Sequence, residues 1–188
     1  DVTSARLVFN TGALHETDPI IPGTAHFLEH VAILTGTQSY PNSRKLINAA
    51  ARYDISFGGY TDWTNTWIEM QGLDAKLVTA LILEMGVMPR LTRAGVEQDR
   101  TAIIEEARGY HHSATSSSVE SLFGLFTGNH PSSIPSGTID DIARIQHGDI
   151  AKFHREQWTP QNARLYVVSK QNPSRLRNYA NSFLDGIP

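Results

Sequence analysis

Residues 22–36 read PGTAHFLEHVAILTG, with two histidines four positions apart and a glutamate directly before the second. We predict a helix here, because the leading proline and the closing glycine suit the two ends of a helix. Positions i and i+4 of a helix lie only about 40° apart, so His26 and His30 project from one face and can hold one divalent ion. Glu29 lies beside them, close enough to act on a metal-bound water without being a ligand. The order H-x-x-E-H is typical of zinc hydrolases with an inverted motif. The alternative is an exposed helix with two solvated histidines.

A catalytic zinc site of this kind needs a third protein ligand, which leaves the fourth position for water. The run AIIEEARGY supplies a candidate in Glu106. A 3-4-3-4 spacing places five residues on one face of a predicted helix: Val96, Asp99, Ile103, Glu106 and Tyr110. Carboxylates on such an apolar face are costly without partners, which a metal and its histidines would supply. The alternative for Glu106 is a solvated carboxylate beside Glu105.

Composition excludes several classes of protein. With 40% apolar and 19% charged residues and a formal net charge of −3, the chain is typical of a soluble globular domain and shows no electrostatic bias towards nucleic acid. It has no cysteine, so neither a disulfide framework nor a thiolate zinc site is available. No apolar run approaches the ~20 residues of a membrane-spanning helix, and no signal segment is expected. The sequence assigns no compartment.

Predicted strands and helices mix along the chain without strict βαβ alternation, which indicates an α+β fold with a mostly antiparallel sheet in one layer and helices packed on one face of it. The predicted strands are 5–11, 55–60, 63–71 and 164–169. The predicted helices, besides the motif helix, are 43–53, 74–88, 92–111, 119–127, 139–157 and 173–184. The polar run SATSSS, residues 113–118, reads as a loop. The adjacent His111 and His112 point about 100° apart on a helix and are interpreted as solvated rather than as a metal pair.

These motifs resemble the inverzincins, the family of pitrilysin, insulysin and the mitochondrial processing peptidase. The resemblance extends over nearly the whole chain, through FNTGALHETDPIIPGTAHFLEH, GGYTDWTNTWIEM and the D-R-x-x-I-x-x-E helix that ends at Glu106. It implies a single processing-peptidase-like metallopeptidase half-domain over residues 1–188, without the first strand that the family places before Asp1. It further implies that His26, His30 and Glu106 bind one Zn²⁺ per chain and that Glu29 is the general base.

Two positions depart from the family pattern. Asp99 stands where the family usually has a glutamate that orients a ligand histidine, so its carboxylate reaches one methylene less far. The strand that receives substrate usually reads N-A-Y/F-T, whereas this chain has Gly58, Gly59, Tyr60 and Thr61. The resemblance makes these four residues substrate-binding candidates, with contacts through the backbone. The alternative for the two glycines is a bulge or tight bend.

The resemblance implies a zinc-dependent metalloendopeptidase that hydrolyses extended or unstructured peptides by means of a zinc-bound water and Glu29. The alternative is a non-catalytic, peptide-binding or structural subunit of a metallopeptidase-like complex. Besides a peptide substrate, the expected partner is a second homologous half-domain, in the same or another chain. The residues leave open whether the chain is a fragment, a naturally short subunit or a homo-oligomer.

Overall fold

The computed structural model describes residues 1–128, 130 and 134–185, apart from the side chains of residues 111, 112, 117 and 120. The strands are β1 Thr3–Phe9, β2 Ser56–Thr61, β3 Thr66–Gly72 and β4 Ala163–Val168. The helices are α1 Thr24–Leu34, α2 Ser43–Arg52, α3 Ala75–Val87, α4 Arg93–His112, α5 Ala114–Phe126, α6 Ile139–Arg144, α7 His147–Gln157 and α8 Pro173–Leu184. Two short 3-10 turns lie at Ala13–His15 and Pro160–Asn162.

The four strands form one antiparallel sheet in the order β2-β3-β1-β4. Side chains alternate along β1, so that Leu7 and Phe9 are buried while Arg6 is exposed and pairs with Glu69 of β3. The buried face packs against α1 and α3. This arrangement confirms the predicted α+β class with an antiparallel sheet, which the mixed order of strands and helices indicated.

Helix α1 lies at the centre of the molecule, against β2, α4 and α7. It begins after Gly23 and is followed by Gly36, both with positive φ (88° and 107°), as the closing glycine of the motif predicted. Phe27, Leu28 and Val31 are completely buried. Because most of its surface is enclosed, α1 is held rigidly, and the two histidines it carries share that rigidity.

Arg100 fixes α4 relative to α1. Its guanidinium donates to the backbone carbonyls of Ile142 and Ile145 at the end of α6, the latter at 2.8 Å. The same group lies 5.2 Å from the centre of the Phe27 ring of α1, within cation–π range. One side chain therefore joins the helix that carries Glu106 to the helix that carries the H-x-x-E-H motif.

Three expectations about local structure are wrong. Residues 113–118 are not a loop, because Ser113 caps a helix by accepting from Ser116 N and α5 starts at Ala114. Residues 139–157 form two helices, α6 and α7, and Asp149 starts the second by accepting from Gln146 N at 2.8 Å. Trp63 lies in the turn before β3 rather than in the strand. In the first two cases a polar side chain, Ser113 or Asp149, accepts a hydrogen bond from a nearby backbone N–H and so starts a helix. Hydrophobic patterns in the sequence do not reveal such bonds.

Candidate metal centre

His26, His30 and Glu106 converge, although the third residue lies on a different helix from the first two. One ligand atom from each lies within 4.8 Å of the others. His26 Nε2 is 3.7 Å from Glu106 Oε1, and His30 Nε2 is 3.2 Å from Glu106 Oε2. The two imidazole rings lie edge to face, with centroids 4.6 Å apart, as the i, i+4 spacing on one helix face requires. Two imidazoles and a carboxylate are the donor set of many catalytic zinc sites.

The two histidines have pKa values shifted in opposite directions. Burial, reinforced by the charge of His30, lowers the pKa of His26 to about 4. Burial also acts against protonation of His30, but the hydrogen bond to Glu106 and the nearby carboxylates outweigh it and raise the pKa of His30. The hydrogen bond from His30 lowers the pKa of Glu106. His26 is therefore held in its neutral form, which can bind a metal ion. His30 is favoured in its protonated form by Glu106, so a metal ion would have to displace that proton.

Glu29 is 4% exposed and lies beside the three converging residues in the same cavity. Its Oε2 accepts a hydrogen bond from Thr61 Oγ1 at 3.0 Å. Burial raises the pKa of Glu29 to about 7, although the charge of His30 and the Thr61 hydrogen bond act in the opposite direction. A buried carboxylate of this kind can exchange a proton near neutral pH.

The four substrate-binding candidates lie on β2, at one edge of the sheet, but they do not face the same way. Gly59 packs directly on the Glu29 side chain, and Thr61 bonds to the Glu29 carboxylate. Tyr60 packs against Trp67 instead, with ring centroids 4.8 Å apart and ring planes tilted by 36°, and a Cβ on Gly58 would meet nothing within 4 Å. Both glycines lie in a continuous ladder with β3, so the bulge that was the alternative explanation is wrong. Glycine is needed at position 59 because the Glu29 side chain approaches its backbone closely.

Asp99 lies on α4, two turns before Glu106, and is only 6% exposed. Its Oδ2 has no hydrogen-bond partner, and neither do the Nδ1 atoms of His26 and His30. Burial raises the pKa of Asp99 to about 6, against the charge of His30. Asp99 is therefore electrostatically coupled to His30 without a hydrogen bond to it. This geometry agrees with the shorter reach of aspartate at this position.

A cavity of about 440 Å³ opens over the candidate metal centre. Besides the residues above, it is lined by apolar side chains from the β2–β3 turn, α4 and α5, among them Trp63, Tyr110 and Val119. Trp63 stacks on Phe123 of α5 with ring centroids 3.8 Å apart. The side chains of His111 and His112, interpreted from sequence as solvated, lie outside the described part of the chain.

A sequence model of the family described as Insulinase (Peptidase family M16) matches residues 1–124, including the motif helix and Glu106. The chain belongs to this peptidase family. Membership agrees with the inverzincin resemblance, and the relatives of this M16 chain include proteins named as zinc proteases. The chain therefore has a metallopeptidase-like fold.

Two curated relatives show how this M16 chain compares with longer proteins. It is 25% identical over 178 residues to the "Probable zinc protease PqqL" of Escherichia coli, a match that covers 89% of this chain and 19% of the relative. It is 26% identical over 197 residues to the chloroplastic stromal processing peptidase of Oryza sativa subsp. indica, covering 98% of this chain and 15% of that protein. The chain thus spans less than a fifth of the length of either relative.

Solved structures show the same fold. The crystal structure of the periplasmic protease PqqL from Escherichia coli superimposes with a TM-score of 0.86 at 22% identity, covering all of this M16 chain and 22% of that one.

None of the helices in the described part of the chain is long and apolar enough to cross a membrane.

Two residues that organise the site were not singled out from the sequence. Arg100 was visible only as part of the D-R-x-x-I-x-x-E pattern, and its bonds to α6 depend on tertiary packing. Glu16 lies in the quoted stretch before the motif, but no local signal relates it to α1. Both act on backbone or rings of distant segments, which spacing along the chain does not predict.

Proposed function

We propose that this chain is the zinc-binding part of an M16 metalloendopeptidase, in which His26, His30 and Glu106 hold Zn²⁺ and Glu29 is the general base. The observation that carries the proposal is the convergence of these four side chains, from two helices, in one cavity beside the edge strand β2. In both histidines Nδ1 is buried and without a hydrogen-bond partner, and Nε2 is the nitrogen that faces Glu106. A bound zinc ion would supply Lewis acidity, lowering the pKa of a water and polarising the scissile carbonyl.

Glu29 moves the proton in this proposal. Its carboxylate takes a proton from the attacking water and returns it to the amine that leaves when the peptide bond breaks. Burial keeps bulk water away from the carboxylate, and the Thr61 hydroxyl holds one of its oxygens at 3.0 Å. Thr61 thereby orients Glu29 for transfer and ties it to the strand that meets the substrate.

The substrate would lie extended along β2 and add a strand to the sheet. β2 is an edge strand, and its backbone runs past Glu29 at Gly59. Strand addition uses main-chain hydrogen bonds, so it suits unstructured peptides of varied sequence. Because Gly58 offers no side chain to the peptide, recognition at that position rests on the backbone.

A second homologous half-domain is part of the proposal, because this chain covers only a fraction of its longer relatives. Stabilising the oxyanion that forms during hydrolysis takes hydrogen-bond donors aimed at it. Among the groups that line the described cavity, the Thr61 hydroxyl already donates to Glu29 and the two histidines are assigned to zinc. Full activity is therefore expected of the natural protein with its second half in place.

The decisive experiment replaces Glu29 with Gln in the natural protein that contains this chain. Zinc content, measured by atomic emission, should stay at one ion per chain, while hydrolysis of an unstructured peptide falls by about 10²–10⁴. Loss of zinc together with activity, or survival of activity, would overturn the role given to Glu29. A wild-type protein without stoichiometric zinc would instead favour the alternative, a non-catalytic subunit.

A further inference from the structure

The N-terminus of α1 is held by a carboxylate from another segment of the chain. Glu16 lies just after the first 3-10 turn and is 1% exposed. Its Oε2 accepts a hydrogen bond from Gly23 N at 2.9 Å, and its Oε1 accepts one from Ala25 N at 2.7 Å. Both oxygens of one side chain therefore bind the start of the helix, and His26 follows Ala25 directly.

Helix α1 has no other cap of its own. Gly23 stands at the capping position without a side chain, and the first turn contains no acidic residue. The first N–H groups of a helix need acceptors from outside the helix, and a negative charge is favoured there. Glu16 meets both needs from seven residues away.

The backbone of the segment before α6 also packs against this end of α1. A Cβ on Gly23 would come within 2.6 Å of the carbonyl oxygen of Ser136, and a Cβ on Gly137 within 2.7 Å of that of Pro22. Gly23 and Gly137 also have positive φ values. The two backbones touch without intervening side chains. The side-chain hydrogen bonds described at this end of α1 are those of Glu16 and that of Thr24 Oγ1 to the carbonyl oxygen of Ile21, and Glu16 provides the charged one.

We propose that Glu16 is a positioning residue for the metal centre, acting through the backbone of α1. By fixing the first turn, Glu16 sets the position of α1 along its axis and its rotation about that axis. Both determine where the His26 and His30 rings lie relative to Glu106 on α4. The inference rests on the proposed zinc function and assigns to Glu16 a role in zinc affinity beyond its contribution to folding.

Glu84 offers a matched control. It is also a buried glutamate, 5% exposed, and its Oε1 accepts from the backbone N–H of Ser39 at 2.6 Å. Ser39 lies in the loop after α1, at the end away from the first turn. Replacing Glu84 with Gln removes a comparable buried carboxylate without touching the end of α1 that carries His26.

The test compares Glu16→Gln with Glu84→Gln in the natural protein. Glutamine keeps the volume of glutamate, but its NH₂ group would face one of the two N–H donors of α1, so one hydrogen bond is lost. Zinc affinity is measured by chelator competition, and site geometry by the visible spectrum of Co²⁺, below the unfolding temperature of every variant. Glu16→Gln should weaken zinc binding about tenfold and shift the Co²⁺ bands, whereas Glu84→Gln should stay within about twofold of wild type.

Glu16 would have only a structural role if wild type and Glu16→Gln bound zinc equally well while Glu16→Gln and Glu84→Gln were similarly destabilised. That result would overturn this inference but not the proposed function. A wild type that binds no zinc would overturn the proposed function and the inference together. Should Glu16→Gln fail to fold, Glu16→Asp, which keeps the charge but shortens the reach to the Gly23 and Ala25 N–H groups, is measured in the same way. It should weaken zinc binding and shift the Co²⁺ bands, and zinc affinity and Co²⁺ bands equal to those of wild type would overturn the inference.

Discussion

Glu29 lies against the backbone of Gly59, so closely that a Cβ on residue 59 would come 2.6 Å from Glu29 Oε1. One position earlier, a Cβ on Gly58 would meet nothing within 4 Å. Two adjacent glycines in one strand thus have different reasons for being glycine. Only the second is tied to the catalytic candidate.

The two alanine variants should therefore change stability in opposite directions. Gly58→Ala should raise the free energy of unfolding by about 0.4–1 kcal/mol, because it only restricts the unfolded chain. Gly59→Ala should lower it by about 1–2 kcal/mol, because the new methyl group displaces Glu29 from its hydrogen bond with Thr61. Urea denaturation of the zinc-free protein measures both. Equal effects of the two variants would contradict the close approach of Glu29.

Zinc should stabilise the folded chain through Glu106 and not through its neighbour. Glu105 is exposed and pairs with Arg108 at 2.5 Å, whereas Glu106 faces both histidines. At a free zinc concentration of about 100 times Kd, ligand linkage predicts a gain of about 2.7 kcal/mol. Thermal unfolding with and without zinc should show this gain in wild type and in Glu105→Gln. It should be largely absent in Glu106→Gln, and an unchanged gain there would remove Glu106 from the ligand set.

Lengthening Asp99 should tighten zinc binding. Asp99 Oδ2 and His30 Nδ1 are both buried and without hydrogen-bond partners, and Asp99 is electrostatically coupled to His30, so a carboxylate that reaches farther can accept from that Nδ1. Asp99→Glu should lower the zinc Kd by about tenfold, and Asp99→Asn, which keeps the length but removes the charge, should raise it. Chelator competition measures all three proteins. Identical Kd values would show that residue 99 has no role in orienting a ligand.

Acid should weaken the fold partly through His154. This side chain lies next to Trp158, and its Nε2 is 3.1 Å from the carbonyl oxygen of Gly86. Burial lowers the pKa of His154, an effect that the Gly86 carbonyl partly offsets and the charge of Arg155 reinforces. The unfolded chain therefore binds a proton at higher pH than the folded chain does. The stability linked to His154 is complete above the ordinary pKa of histidine and is lost as pH falls below it.

His154→Gln should remove this part of the pH dependence. The difference in unfolding free energy between wild type and variant should shrink from pH 7.5 to pH 5, by at most about 1.4 kcal/mol per pH unit. Other histidines are common to both proteins and cancel in the difference. Urea titrations across this pH range, in the absence of zinc, provide the measurement. A difference that is constant with pH would show that His154 does not titrate in a shifted environment.

Much of the fold followed from local patterns. The last helix, Pro173–Leu184, has the bounds that were predicted, because a proline and an asparagine cap mark its start. The α+β class followed from the order of the predicted elements, which mix strands and helices without strict βαβ alternation. The loop predicted for residues 113–118 is wrong, because serines that cap or tolerate a helix look the same in sequence as serines in a loop. The predicted half-domain over the whole chain stays a prediction.

The site divides in the same way. The sequence by itself determined that His26 and His30 share one helix face with Glu29 beside them, because the 3.6-residue period fixes such neighbours locally. Only the tertiary structure brought Glu106 within 3.2 Å of His30, placed Gly59 and Thr61 against Glu29, and closed Glu16 onto the start of α1. These contacts join residues on separate elements. Their distances depend on how helices pack against the sheet and each other, which the spacing of residues along a chain does not specify.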